Sequence, residues 1–257
     1  MSYIVICSVA CLASLLTFFS GFGLGTLLLP AFAIFFPVEQ AVTLTAVVHF
    51  LNGLFKIGIT GHSISWTITR KFGISAIAGG IAGAIVLEYL ADLEPILSFR
   101  WLEQSFVITP VKMVIGVLLI GFALLDVVPT FRDITFGPQW IFFGGMLSGF
   151  FGGLAGMQGA LRSAFLSRAG LTKEEFVATA AIIAVLVDLS RLGVYARSVW
   201  RQFENLDHTL LVAVILAAWF GAVLGKKILH SITMESIRNF VALLLVLVGS
   251  SLVTGLL

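Results

Sequence analysis

The sequence predicts an all-α polytopic membrane protein built from two internal repeats, the second inverted relative to the first, with a glycine-broken helix in each. Three observations carry that expectation. Hydrophobic residues make up 59% of the 257-residue chain and charged residues 11%, against about 45–50% and 25% in soluble domains. Apolar runs long enough to cross a bilayer recur along the chain, since a span needs about 20 apolar residues. A glycine-rich interruption occurs once in each half.

Residues 3–19 form the first apolar run. They have no positive flank and continue into more apolar chain, so they read as a retained helix rather than a cleaved signal segment. The run enters SGFGLGTLLLP, where Gly21, Gly23, Gly25 and Pro30 crowd together. That is too much glycine for a helix interior. A short apolar piece follows from Thr26 to Phe36, then spans at 40–60, 72–91 and 108–128. Segment 92–107 (DLEPILSFRWLEQSFV) mixes charge and aromatics and reads as an amphipathic interfacial stretch. A polar linker at 129–138 divides a first repeat, 1–128, from a second, 139–257. The second repeat holds 139–155, the broken segment GMQGALRSAFLSRAG, then 174–195, 206–226 and 236–256. The inventory is eight long spans and two short broken segments.

A shift of 135 residues carries Gly21 onto Gly156, Glu39 onto Glu174, Val42 onto Val177, Ala46 onto Ala181, Lys56 onto Arg191 and Gly58 onto Gly193. A shift of 142 carries Gly79 and Gly83 onto Gly221 and Gly225. Both of these are small-xxx-small pairs suited to close helix contact. If the broken segments do not cross, loop Lys and Arg residues divide five and five. If each contributes a crossing, Arg70, Lys71, Arg132, Arg168, Lys173, Lys226 and Lys227 share one side, and Arg100, Arg197 and Arg201 the other. The seven-to-three bias obeys the positive-inside rule. It favours five crossings per half, hence inverted repeats, with the termini non-cytoplasmic. Re-entrant half-helices are the alternative at the two breaks.

Backbone polar groups cannot face lipid unpaired. Paired breaks at matching places in two repeats therefore point to a transport site, and their helix ends suit an anion. Gly23, Gly25, Gly156 and Gly159 mark these breaks. Ionisable groups inside apolar segments are functional candidates. His49, Asn52 and Lys56 follow spacings of three and four, and so do Asp188, Arg191 and Tyr195. Each set lies along one helical face. Gln158 and Arg162 sit one turn apart in the second break. Thr43 and Thr45 follow the first break, and Thr179 the second. The expected anion site comprises Lys56, Arg191, Arg162, Gln158, His49, Asn52, Thr43 and the four glycines. His49 and Asp188 are the candidates for a coupling proton. The plainer alternatives are an Asp188–Arg191 pair within one helix, a snorkelling Lys56, a packed His49, and threonine hydroxyls bonded back to helix carbonyls. Asp126 and Glu88 stand near span ends and are expected at the interface.

Other functions find no support. There is no HExxH, GxSxG or phosphate-loop motif, so no enzyme and no cofactor are expected. No basic tract suits nucleic acid. Cys7 and Cys11 read as small buried hydrophobes rather than metal ligands.

The stretch GFGLGTLLLPAFAIFFPVEQAVTLTAVVHFLNGLFKIGITG at 21–61 resembles the TauE/SafE group of membrane permeases, known as sulfite exporters. Their pattern is a glycine cluster, a few apolar residues, a proline, and a small-residue stretch, here Ala41, Val42, Thr43 and Thr45. The second copy keeps Gly153, Gly156 and Gly159, while Gln158 and Arg162 interrupt it and Phe165 replaces the proline. The resemblance implies a secondary carrier of small, often sulfur-containing, anions, without ATPase parts. Arg162 suggests a carboxylate or sulfonate as an alternative to sulfite.

The expectation is thus a bacterial inner-membrane permease for a small anion. A proton or other coupling ion and a homo-oligomeric partner are compatible with the pattern. A passive anion channel and a non-transporting membrane scaffold are the competing readings.

Overall fold

A computed structural model describes residues 2–20, 23–101, 104–132, 134–196, 207–228 and 234–257. In order these form α1 (Ser2–Ser20), α2 (Leu24–Ala33), α3 (Val38–Thr60), α4 (Trp66–Ala91), β1 (Leu97–Trp101), β2 (Gln104–Ile108), α5 (Pro110–Val127), α6 (Pro129–Arg132), α7 (Ile141–Ala155), α8 (Gly159–Leu166), α9 (Lys173–Val194), α10 (His208–Ile228) and α11 (Met234–Val253). Short 3-10 turns occupy Gly61–Ser63 and Pro138–Trp140. The chain is a largely helical, multi-pass membrane protein.

Five described helices are long and apolar enough to cross a bilayer: Val38–Ser63, Trp66–Ala91, Pro110–Val127, Lys173–Val194 and His208–Lys227. The described apolar parts of α1 and α11 are shorter, at Tyr3–Leu16 and Val241–Val253. α7 has 15 residues, about 22 Å of helix, because it ends at the glycine break. α2 and α8 have 10 and 8 residues, about half a bilayer core or less.

Local chemistry explains several boundaries. α9 starts with a capping box, in which Thr172 Oγ1 accepts from the Glu175 amide and Glu175 Oε2 accepts from the Thr172 amide. α5 starts with Pro110 behind the Thr109 cap. The stretch read from sequence as amphipathic and interfacial contains an antiparallel hairpin, β1–β2. Phe99 and Phe106 face each other across it, with ring centroids 5.0 Å apart. Cross-strand aromatic pairing outweighs any amphipathic helix there.

Packing is set by backbone approach. On α7, a Cβ at Gly145, Gly149 or Gly153 would collide with the carbonyls of Phe72, Ala76 and Gly80 of α4. Both sets advance together, so α4 and α7 run parallel. In return, Gly79 and Gly83 abut the carbonyls of Met146 and Phe150. Such seams let van der Waals contact and weak Cα–H···O contacts replace the hydrophobic drive that lipid removes. α1 packs along α10 in the same manner, with Gly221 against the Cys11 carbonyl. Cys7 and Cys11 are half-buried rather than buried. α5 packs on α11 through Gly116 and Gly249, each meeting the other's carbonyl.

α3 and α9 cross at the centre. His49 meets Asp188, Gly53 meets Val185, and Ser65, just beyond α3, meets Thr179. Numbering rises on one helix as it falls on the other, so the two are antiparallel. Trp219 of α10, the tryptophan inside a span, stacks on Phe55 at 5.1 Å, and its Nε1 donates to the Leu51 carbonyl at 3.3 Å. Trp66 and Trp140 are exposed near helix starts, as belt residues are.

Candidate functional site

The two breaks have a defined backbone. Gly23 precedes α2 with φ 112°, a left-handed conformation, and no side chain caps the helix. Its first amides are therefore free of intrahelical partners. α7 ends at Gly156, φ 74°, whose amide returns to the Gly152 carbonyl, while the Met157 amide returns to Phe151. This is the glycine-terminated closure of a helix C-terminus. α8 then starts at Gly159, also without a side-chain cap. Gly21 lies outside the described residues.

The breaks touch. A Cβ on Gly25 would stand 2.6 Å from the Gly156 carbonyl oxygen and 3.6 Å from His49 Cδ2. A Cβ on Gly156 would stand 3.1 Å from Arg191 Nη1. Glycine at these two places leaves room for α2, α3, α7 and α9 to converge.

Charged groups gather at that convergence. Asp188 Oδ1 accepts from Arg191 Nε at 3.0 Å and Nη2 at 2.7 Å. Asp188 Oδ2 meets His49 Nδ1 at 2.5 Å. Both Asp188 and Arg191 are fully buried. The pair within α9 thus exists as one sequence alternative had it, but it also extends to the histidine of α3. A buried carboxylate with three N–H partners is the arrangement that makes a buried charge tolerable. Tyr195 continues the face, its hydroxyl donating to the Gly153 carbonyl.

The second break adds a polar arm. Ser148 Oγ donates to the Gln158 carbonyl at 2.9 Å, and Arg162 Nη1 donates to Gln158 Oε1 at 3.1 Å. Arg162 is 2% exposed, and its charge reaches both Asp188 and Lys56. Lys56 is half-buried. Among the described residues Gln158 Nε2 and Arg191 Nη1 of this group are buried with no hydrogen-bond partner.

Other expected residues bond to neighbouring helix groups. Asn52 Oδ1 accepts from Ser14 Oγ at 3.1 Å. Thr43 Oγ1 donates back to the Glu39 carbonyl at 2.9 Å, and Thr179 Oγ1 accepts from the Ser65 amide. Thr45 Oγ1 is buried without a hydrogen-bond partner among the described residues. Asp126, at the end of α5, is buried within the protein, and Glu88 is half-buried. Sequence reasoning missed Ser148 and Ser14. Ser148 did leave a signal, as the sole polar side chain in the apolar, glycine-rich α7.

The family model described as TauE, Sulfite exporter TauE/SafE, matches residues 6–252. That is most of the chain, and the protein belongs to this family. No curated protein and no solved structure matches it. The chain is accordingly a membrane transporter of a small anion and not an enzyme.

Proposed function

From this family membership we propose that the protein is a secondary carrier of sulfite or a related sulfur oxyanion, sulfonate or small carboxylate, held where its two helix breaks meet. One observation carries the site assignment: Arg191 Nη1 and Gln158 Nε2 are buried donors without partners among the described residues. Buried donors are almost always satisfied, and an anion rich in oxygen acceptors would satisfy both. Arg162 and Lys56 add positive charge, and the uncapped amides of α2 and α8 add dipoles. His49, Gly23, Gly25, Gly156 and Gly159 shape the walls, while Asn52 and Thr43 brace them.

Two inverted repeats, 1–128 and 139–257 about the 129–138 linker, supply the movement. Several contacts support this. The 135-residue shift carries Cys11 onto Met146, and the 142-residue shift carries Gly79 onto Gly221. The contact of Gly79 with Met146 is then repeated by Gly221 with Cys11. The equivalent helices α3 and α9 run antiparallel, as an axis in the membrane plane requires. Five crossings per repeat follow, with α2 and α8 completing the broken ones. The positive side is then cytoplasmic and both termini lie outside a bacterial inner membrane. Outward transport follows the family's description.

A carrier is favoured over a channel because Gln158, Arg162, Asp188 and Arg191 are each at most 2% exposed. Burial of these four groups within the protein suits one intermediate of alternating access better than an open water-filled pore. The test is reconstitution in liposomes with labelled sulfite, thiosulfate, sulfonates and small carboxylates. A carrier saturates and shows counterflow, a channel conducts without counterflow, and a scaffold moves nothing. R191A should lower transport at least tenfold. An R191A protein with unchanged affinity and rate would remove Arg191 from the site.

A further inference from the structure

The His49 ring is held in one tautomer by its neighbours. Asp188 Oδ1 takes two N–H groups of Arg191, a guanidinium that stays charged, and a carboxylate paired with that charge is ionised and can only accept. Its Oδ2 faces His49 Nδ1 at 2.5 Å. Nδ1 therefore carries the hydrogen, and Nε2 is the nitrogen left with a lone pair. The opposite edge of the ring faces the helix break, with Cδ2, the carbon bonded to Nε2, 3.6 Å from where a Cβ on Gly25 would stand.

Among the described residues Asp188 of α9 meets this ring and Arg191 shares its carboxylate, the charge of Arg162 from α8 reaches Asp188, and that of Lys56, about two turns along α3, reaches Arg162. Among the described residues α1, α2 and α10 present Ser14, Gly25 and Trp219 to this stretch of α3. Nε2 is bonded to the Cδ2 that lies beside the break, so a proton on it places a positive charge next to the break and favours an anion there.

We propose that each anion crosses together with one proton carried on His49 Nε2. This rests on the carrier function proposed above. Binding and protonation favour each other by linkage. The proton joins Nε2 from the water on the loading side and leaves to water on the unloading side, in the same direction as the anion. Asp188 remains ionised throughout and acts by fixing the ring.

The test uses full-length protein in liposomes, a labelled alkanesulfonate as the probe, since sulfite takes up a proton of its own near neutral pH, and protein-free vesicles as the baseline. Counterflow is measured first, then accumulation driven by a pH gradient with the membrane potential clamped at zero. One proton per anion predicts about tenfold accumulation per pH unit. H49Q should lose this accumulation, and whatever counterflow it retains should no longer vary with pH. A second measurement uses 15N-histidine NMR of the unmutated protein, with H49Q giving the assignment. Adding the alkanesulfonate should protonate Nε2 of His49 while Nδ1 keeps its hydrogen. Counterflow without gradient-driven accumulation, accumulation by H49Q, or an unchanged Nε2 signal would each overturn the coupling and leave the carrier intact. Absence of counterflow with every anion screened would overturn the carrier itself, and the coupling with it.

Discussion

Gly25 and Gly156 brace the two helix breaks against each other across the molecule, with the Gly156 carbonyl 2.6 Å from the place a Cβ on Gly25 would occupy. The obstacle is backbone, so it cannot rotate aside. Gly25→Ala should separate the breaks and lower sulfite counterflow more than tenfold, with the protein still monodisperse on size exclusion. Gly58 of α3 is the control, since a Cβ there meets nothing within 4 Å. Gly58→Ala should leave transport within about twofold and raise helix stability by up to about 1 kcal/mol.

Asp188 holds Arg191 in a fully buried place. D188N leaves that guanidinium charged without its counterion, a change worth about 3–5 kcal/mol in buried pairs. Its thermal midpoint in detergent should fall by several degrees. The double variant D188N/R191Q removes the stranded charge and should regain much of the loss while transporting nothing. A double variant no more stable than D188N would show that the pair's electrostatics are not the cause.

The α4–α7 seam makes a sharper demand on residue size. Gly149→Val pushes a branched side chain into the Ala76 backbone and should abolish recovery of folded protein. Gly121→Ala on α5, where a Cβ meets nothing within 4 Å, should express normally.

The proposed ten crossings fix which ends share a side. In a C7S/C11S background, single cysteines at Lys71 and Lys227, both exposed, should react only from the cytoplasmic side. A cysteine at exposed Ser98 on the hairpin should react from the opposite side. Eight crossings would instead place Lys71 and Lys227 on opposite faces.

Tyr3 and Asp207 pin α1 to the start of α10. The Tyr3 hydroxyl donates to Asp207, which also accepts from the amides of Thr209 and Leu210. The Tyr3 hydrogen bond is the main cause holding the Asp207 carboxyl below its ordinary value of 3.8, with the backbone donors assisting. A lowered folded value means the stabilisation is present above pH of about 3.8 and disappears as pH falls through that lower value. Y3F should therefore melt earlier than wild type at pH 7, and the two melting points should converge in acid. A difference that persists below pH of about 3 would assign the effect to packing instead.

Legibility followed the range of each interaction. Both breaks could be read because left-handed φ at Gly23 and Gly156 is a local demand that favours glycine. The cations could be read because a charge in an apolar run stands out at any position. The hairpin was harder, because Phe99 and Phe106 pair only after the chain has turned. Thr43 and Thr179 were ambiguous because a hydroxyl can serve a helix carbonyl, another segment or a ligand equally well.

The sequence by itself determined that this is a helical membrane protein, where its helices break and which charges lie at depth. Those properties follow from hydropathy, glycine and spacing within a few turns of chain. Only the tertiary structure decided that His49 and Asp188, 139 residues apart, share a proton-bearing contact, and that Gly25 closes on Gly156. Such pairs depend on which faces α3 and α9 present when they cross, and that is set by close approaches between distant segments, at Gly53, Gly25 and Gly156 among others.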